Sequence, residues 1–259
     1  MRNISNPNKA VQDGDKMYLL CGNCEGLFNQ RETPFSNKFF REFKADGFNG
    51  LKYDGDWLHY FITSVNWRTL YLDLKGFIED NDEGNVIDEK DLKLLIKAEQ
   101  VMRDYLLGHR KDLSSIENHI FFFDDIKSID SSKDLDSPHR MIQGSAFGYT
   151  VITKDPKGIY VFANLTGVII VTIIKKASKE KWRNSYVKPE PGIIKVPQQV
   201  SSPIFSELFY LQEQREKYLN QMSEKQKQQI MDKVIDAGEN FEKSGSYKRF
   251  VKDQEINSK

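Results

Sequence analysis

The run Val168-Ile169-Ile170-Val171-Thr172-Ile173-Ile174 restricts the fold more than any other stretch of the chain. Two heavy atoms on Cβ stiffen every one of these side chains and favour an extended backbone. The run falls far short of the ~20 apolar residues that cross a bilayer, so it predicts a buried strand. On its N-terminal side lie two turn sequences, Asp155-Pro156-Lys157-Gly158 and Asn164-Leu165-Thr166-Gly167. Proline fixes one φ and glycine supplies a positive one, so each is a turn with a mechanism. Strand-like runs over Met141–Thr153, Gly158–Ala163 and Val168–Lys175 then predict an antiparallel meander of three or four strands. Ile120-Phe121-Phe122-Phe123 predicts a further buried strand.

Helical periodicity dominates elsewhere. Trp57, Tyr60, Phe61, Val65, Leu70 and Tyr71 follow a 3.6 period and predict a buried helix over Trp57–Leu72, capped by Asp54 or Asp56. Asp88 predicts the cap of a second helix reaching about Leu107, with Gly108 ending it. Glu25 to Arg41 has a helical pattern, in which Pro34 either opens a second helix after Thr33 or breaks the first. Residues 1–15 read as a polar lead ending in the Asp13-Gly14 turn, Lys16–Leu20 as a short strand, and Asn81–Asn85 as an acidic loop. A polar loop is expected from Asp130 to Pro138. Residues 176–203, with Pro189, Pro191, Pro197 and Pro203, read as a long surface connection. Helical spacing from Pro203 to Leu219 and from Ser223 to Ile235 predicts a long C-terminal helix, with a frayed tail beyond Gly238. The expected fold is α+β: a small Cys-x-x-Cys module and helices, then an antiparallel β-meander, then the long C-terminal helix. The corresponding domains are 1–50, 51–112 and 113–259.

Charge narrows the function classes. Lys plus Arg equals Asp plus Glu at 38 each, which counts moderately against a wholesale nucleic-acid coat and leaves any such contact to a local patch. Two such patches are Lys175-Lys176 with Lys179, Lys181 and Arg183, and Lys248-Arg249. Trp182 and Tyr247 nearby suit phosphate contact and base stacking; a solvated face is the plainer meaning. Two cysteines build no disulfide framework. No basic segment followed by an apolar one opens the chain, so the expectation is a cytoplasmic protein without a membrane partner.

Those two cysteines, Cys21 and Cys24, are the candidate metal ligands. A Cys-x-x-Cys turn aims two thiolates at one zinc ion, but a structural zinc needs four ligands and the chain has no second such pair. Strand, Cys-x-x-Cys and helix is also the local order of a thioredoxin-like redox site, and incidental cysteines are a third reading. His59, His109, His119 and His139 form no compact ligand pair and have no Ser, Cys or Asp at a telling spacing, so no nucleophilic triad is expected. Core packing is the expectation for His59, and a helix C-terminus suits His109. The carboxylates Glu79, Asp80, Asp82 and Glu83 read as a solvated loop, as do Asp124 and Asp125, where a magnesium site is the alternative.

Tyr18-Leu19-Leu20-Cys21-Gly22-Asn23-Cys24-Glu25, with Glu32 downstream, resembles an element of a group of bacterial HNH-endonuclease-related proteins. In that group Leu-Leu-Cys-x-x-Cys-Glu follows a first Cys-x-x-Cys and a Ser-His-x-Ile-Pro segment. Tyr53-Asp54-Gly55-Asp56-Trp57-Leu58 through Ser64-Val65-Asn66-Trp67-Arg68 resembles the Ser-x-x-Trp-Arg helix of the same group. In HNH enzymes a histidine activates water while neighbouring residues hold a divalent metal against the scissile phosphate. The segment expected to supply that histidine would precede Met1. The resemblance therefore carries over Cys21 and Cys24 as zinc ligands and no catalytic residue. It implies a protein that is non-catalytic as it stands and binds DNA, RNA or a protein partner, in bacterial defence or a mobile element. Its zinc would be completed by another side chain or by a second copy in a homo-oligomer. Two other functions stay open: a structural or interaction protein with incidental cysteines, and a metal-dependent nuclease completed by dimerisation.

Overall fold

Stiff, apolar side chains leave the run around Val168 one economical state, and it forms β5 (Val168–Lys175). The structure is a computed structural model that describes residues 18–44, 48–82, 87–123 and 135–257. The turns fold β4 (Lys157–Leu165) and β3 (Ala146–Lys154) back beside it as the expected meander. Thr166 and Gly167 close the β4–β5 hairpin with φ of 49° and 102°, the left-handed pair whose twist matches that of the strands. Asn164 Oδ1 accepts from the Gly167 N–H at 3.0 Å and holds the turn. The Phe-rich segment forms β2 (Glu117–Phe122) on the other side of β5, and β7 (Tyr186–Val187) adds the last strand. The sheet is antiparallel throughout, in the order β3-β4-β5-β2-β7. Ile159, Tyr160, Val161 and Phe162 are all 0% exposed, so consecutive residues are buried and β4 is covered on both faces.

One face takes α3 (Trp57–Asp82), which runs on past Leu72 and buries Leu58, Ile62 and Leu70. Neither predicted cap, Asp54 or Asp56, offers its carboxylate to a backbone N–H of the first turn. The Asp56 carbonyl accepts from the Tyr60 N–H at 2.9 Å, while the Asp54 carboxylate takes the Trp57 indole N–H at 3.1 Å. Between helix and sheet lies a sealed polar row. Asn66 donates to Thr172 Oγ1 at 2.7 Å, Thr172 donates to Asn118 Oδ1 at 2.7 Å, and Asn118 donates to Thr63 Oγ1 at 2.8 Å. A helix sliding along the sheet would strand these groups, so the row fixes register as well as adding stability. The second predicted helix is α4 (Glu89–Leu106), and Asp88 Oδ1 caps it by accepting from the Lys90 N–H at 2.8 Å. Gly108 follows with φ of 77°, as a C-terminal glycine should.

Residues 176–203 are not a featureless connection. They contain β6 (Lys181–Arg183), β7, β8 (Gly192–Ile194) and β9 (Gln199–Ser201). β6 pairs with β9, β7 with β2, and β8 with β1 (Leu51–Tyr53). Strands of two or three residues show no alternation in sequence, and distant pairing partners supply what local pattern does not. The N-terminal helix α1 (Gly22–Pro34) is neither stopped nor restarted at Pro34. It passes into a π-helical stretch, Phe35–Phe40, and then α2 (Arg41–Lys44).

The chain divides into two compact units that interleave along it, whereas the expected three-part division follows chain order. Residues 19–122 and 146–204 form the unit just described. In the other, Met141 lies not in a strand but in α5 (Pro138–Ile142), because Pro138 opens a helix there and Ser137 turns into it with φ of 58°. The C-terminal segment is helical as expected, in successive pieces: α6 (Glu207–Asn220), α7 (Glu224–Ala237), α8 (Glu239–Glu242) and α9 (Gly245–Asn257). Ser223 Oγ accepts from the Gln226 N–H and caps α7, and Gly238 ends it with φ of 47°. The tail is helical rather than frayed because α9 carries Asp253, 0% exposed. That carboxylate accepts from the His139 and Arg140 N–H groups at 2.8 and 3.2 Å and from Arg140 Nε at 2.8 Å. The expected acidic loop starts later than read, because Glu79 to Asp82 still belong to α3; its remainder, the Asp13-Gly14 turn, the Asp124-Asp125 pair and most of the 130–138 loop lie outside the described residues. Among the described residues no helix is long and apolar enough to cross a membrane.

Candidate functional site

A Cys-x-x-Cys sequence at a helix start places one thiol at the cap and the other in the first turn. Cys21 is the N-cap of α1, its backbone extended at φ −75° and ψ 159°, and its carbonyl accepts from the Glu25 N–H at 2.9 Å. Both thiols are free, Cys21 exposed and Cys24 half-buried. The Cys24 backbone N–H, and then its thiol, hold the Cys21 thiol below its ordinary pKa, while the same thiol contact raises that of Cys24. The helix N-terminus favours a thiolate for the same reason it favours any anion. Two such sulfurs fit two corners of a tetrahedral zinc site. Among the described residues no group of three His, Cys, Asp or Glu side chains could complete it.

α1 is clamped rather than loose. Phe28 is 2% exposed and meets Tyr60 and Trp67 edge-on, each with centroids 5.9 Å apart. Phe35 stacks on Phe61 at 3.7 Å. Glu32 Oε1 accepts from Ser64 Oγ at 2.7 Å and from Arg68 Nη1 at 2.6 Å, and Arg31 pairs with Asp56. Glu32 thus meets Ser64 and Arg68, distant in sequence, on one face of α3.

A second constellation was not legible in the sequence. Glu117 and His119 alternate onto one face of β2, and β7 brings in Ser185. His119 Nδ1 lies 3.1 Å from Ser185 Oγ, and His119 Nε2 lies 3.3 Å from Glu117 Oε2. Lys176 Nζ pairs with Glu117 at 3.0 Å, and the His119 ring sits 4.6 Å from Trp182 and 5.5 Å from Tyr186. Serine, histidine and carboxylate are the residue types of a nucleophilic triad. Here Ser185 is 0% exposed and His119 2%, so a substrate carbonyl does not reach the hydroxyl. Burial also pushes the His119 pKa down to about 4, far from that of an effective base at neutral pH. The one local trace of it is the Glu117-x-His119 spacing, which puts both side chains on one face of a strand but points to no serine. His59 is the buried histidine expected, 3.1 Å from the Tyr105 hydroxyl and lowered by burial to about 4. His109 is near Asp104 at 3.8 Å, and His139 is buried in α5.

The first basic patch lies beside this cluster. On β6, Lys181 and Arg183 are exposed and Trp182 points the other way. Among the described residues Lys175, Lys179, Lys181 and Arg183 form no ion pair, while Lys176 is committed to Glu117. Trp182 is not the stacking platform its neighbours suggested. Its ring is spent on His119, and its N–H donates to Glu180 Oε2 at 3.3 Å. The exposed aromatic there is Tyr186, 45% accessible. No family model, no curated protein and no solved structure matches the chain.

Proposed function

We propose that this chain is a non-catalytic, HNH-endonuclease-related protein that binds nucleic acid, with Cys21 and Cys24 holding a structural zinc ion. The observation that carries the reading is the cysteine turn. Two free thiols reach the surface from one turn of a helix, Cys21 is acidified, and Glu32 locks that helix to Ser64 and Arg68. Zinc supplies a cross-link there, and the two sulfurs hold half of it. The remaining ligands come from outside the described residues, so a second copy of the chain is a natural source. Contact with nucleic acid falls to Lys175, Lys179, Lys181 and Arg183, with Tyr186 as the exposed aromatic. Phosphate contacts of this kind are sequence-independent and weaken steeply with salt.

Fluorescence anisotropy with a labelled 30-nucleotide single strand and the matching duplex tests the reading at two salt concentrations. Binding should fall as salt rises, and Lys181→Glu with Arg183→Glu should weaken it about tenfold or more. Binding that ignores salt, or survives the double substitution, contradicts the assignment. Plasmid nicking with magnesium or manganese should be absent; metal-dependent nicking lost in Cys21→Ser would favour a nuclease completed by dimerisation instead.

A further inference from the structure

The helical unit carries a groove of about 690 Å³ on its surface. Its apolar wall is Ile230, Met231 and Val234 on α7, and its aromatic wall is Phe241, Tyr247 and Phe250 on α8 and α9. Side chains of this kind normally turn inward, yet Met231 is 55% exposed, Ile230 42% and Phe250 40%. The charged residues that line the groove, Arg140, Lys227 and Arg249, are all cations. Two of them are already matched: Arg140 with Asp253 at 2.8 Å and Lys227 with Glu224 at 2.7 Å. Arg249 is half-buried and donates to the Ser246 hydroxyl at 3.2 Å. Among the described residues it has no carboxylate partner. A guanidinium drawn partly out of water without a counter-charge gains most from an anion that brings its own apolar body.

We propose that this groove binds a medium- or long-chain carboxylate, its chain along Ile230, Met231 and Val234 and its head on Arg249. Size favours a small amphiphile over a macromolecule. Ligand grooves are typically about 300–1,000 Å³, mostly apolar with a few polar groups that fix orientation. A protein partner would ordinarily engage roughly 20–30 residues a side, far more than line this groove.

Isothermal titration calorimetry on the full chain, with dodecanoate below its critical micelle concentration, tests the assignment. One dodecanoate should bind per chain, saturably. Dodecyltrimethylammonium, with the same tail and the opposite head, should bind about tenfold weaker or less. Arg249→Gln should weaken dodecanoate by about fivefold or more while Arg249→Lys keeps most of it, because the head reads charge. Ile230→Asp should abolish binding with circular dichroism unchanged. Equal binding of the two heads, an unaffected Arg249→Gln or no binding at all overturns the proposal. So does a dimer in sedimentation that Met231→Glu dissolves and dodecanoate does not, since a second copy would then cover the groove.

Discussion

The cysteine turn and the His119 cluster belong to the same compact unit and are opposites in chemistry. Cys21 and Cys24 reach the surface and carry free thiols, and among the described residues no group of His, Cys, Asp or Glu gathers round them to hold a metal. His119 has a serine, a carboxylate and two aromatic rings around it, and is sealed. By residue type alone the second is the better catalytic site. By accessibility it is a structural joint, binding β2 to β6 and β7, while the turn is the place where something from outside can attach. Side-chain identity therefore says little about function until burial is known.

The difference can be broken most forcefully at His119. Replacing it with Ala removes a buried ring from Trp182 and Tyr186 and strands Ser185. The loss should be about 3 kcal/mol in urea unfolding. A loss under about 0.5 kcal/mol, typical of surface substitutions, would remove the structural reading.

Acid should act next. His59 and His119 titrate at about 4 when folded, against an ordinary value of 6.5. As pH falls the unfolded chain takes up these protons first. The stabilisation is complete above about 6.5 and is lost progressively towards about 4, at roughly 3 kcal/mol per histidine. Unfolding midpoints that stay flat from pH 7 to 4.5 would contradict the burial of both rings.

Ser185→Ala sharpens the comparison with a smaller effect. It should cost about 1–2 kcal/mol by leaving His119 Nδ1 unpartnered. Hydrolysis of p-nitrophenyl acetate should be negligible before and after the change. Turnover that Ser185→Ala abolishes would make the cluster a working triad and invert the comparison.

What was legible in the sequence follows from range. The meander and α4 were readable because the 168–174 run, the Asp155-Pro156 and Thr166-Gly167 turns and, for the helix, the Asp88 cap act within a few residues. The strands between 176 and 203 were not. β7 and β8 exist only because β2 and β1 pair with them from far along the chain. The helix end at Gly238 was marked by its glycine, whereas the break at Ser223 was missed because the apolar spacing resumes on its far side. Cys21 and Cys24 stood out because their spacing is local. Ser185 and His119 are 66 residues apart and joined by strand pairing, which no local pattern reports.

The measurement that most directly tests the cysteine turn as the open site is zinc content. Wild-type protein and the Cys21→Ser, Cys24→Ser variant should be purified alike and assayed for bound zinc and for thermal unfolding. The account predicts about one ion per chain, or about one per two chains where a second copy completes the tetrahedron. It also predicts that the double variant loses the ion and unfolds at lower temperature. Wild-type protein without zinc, or a variant that keeps the same zinc and the same unfolding temperature, would contradict it.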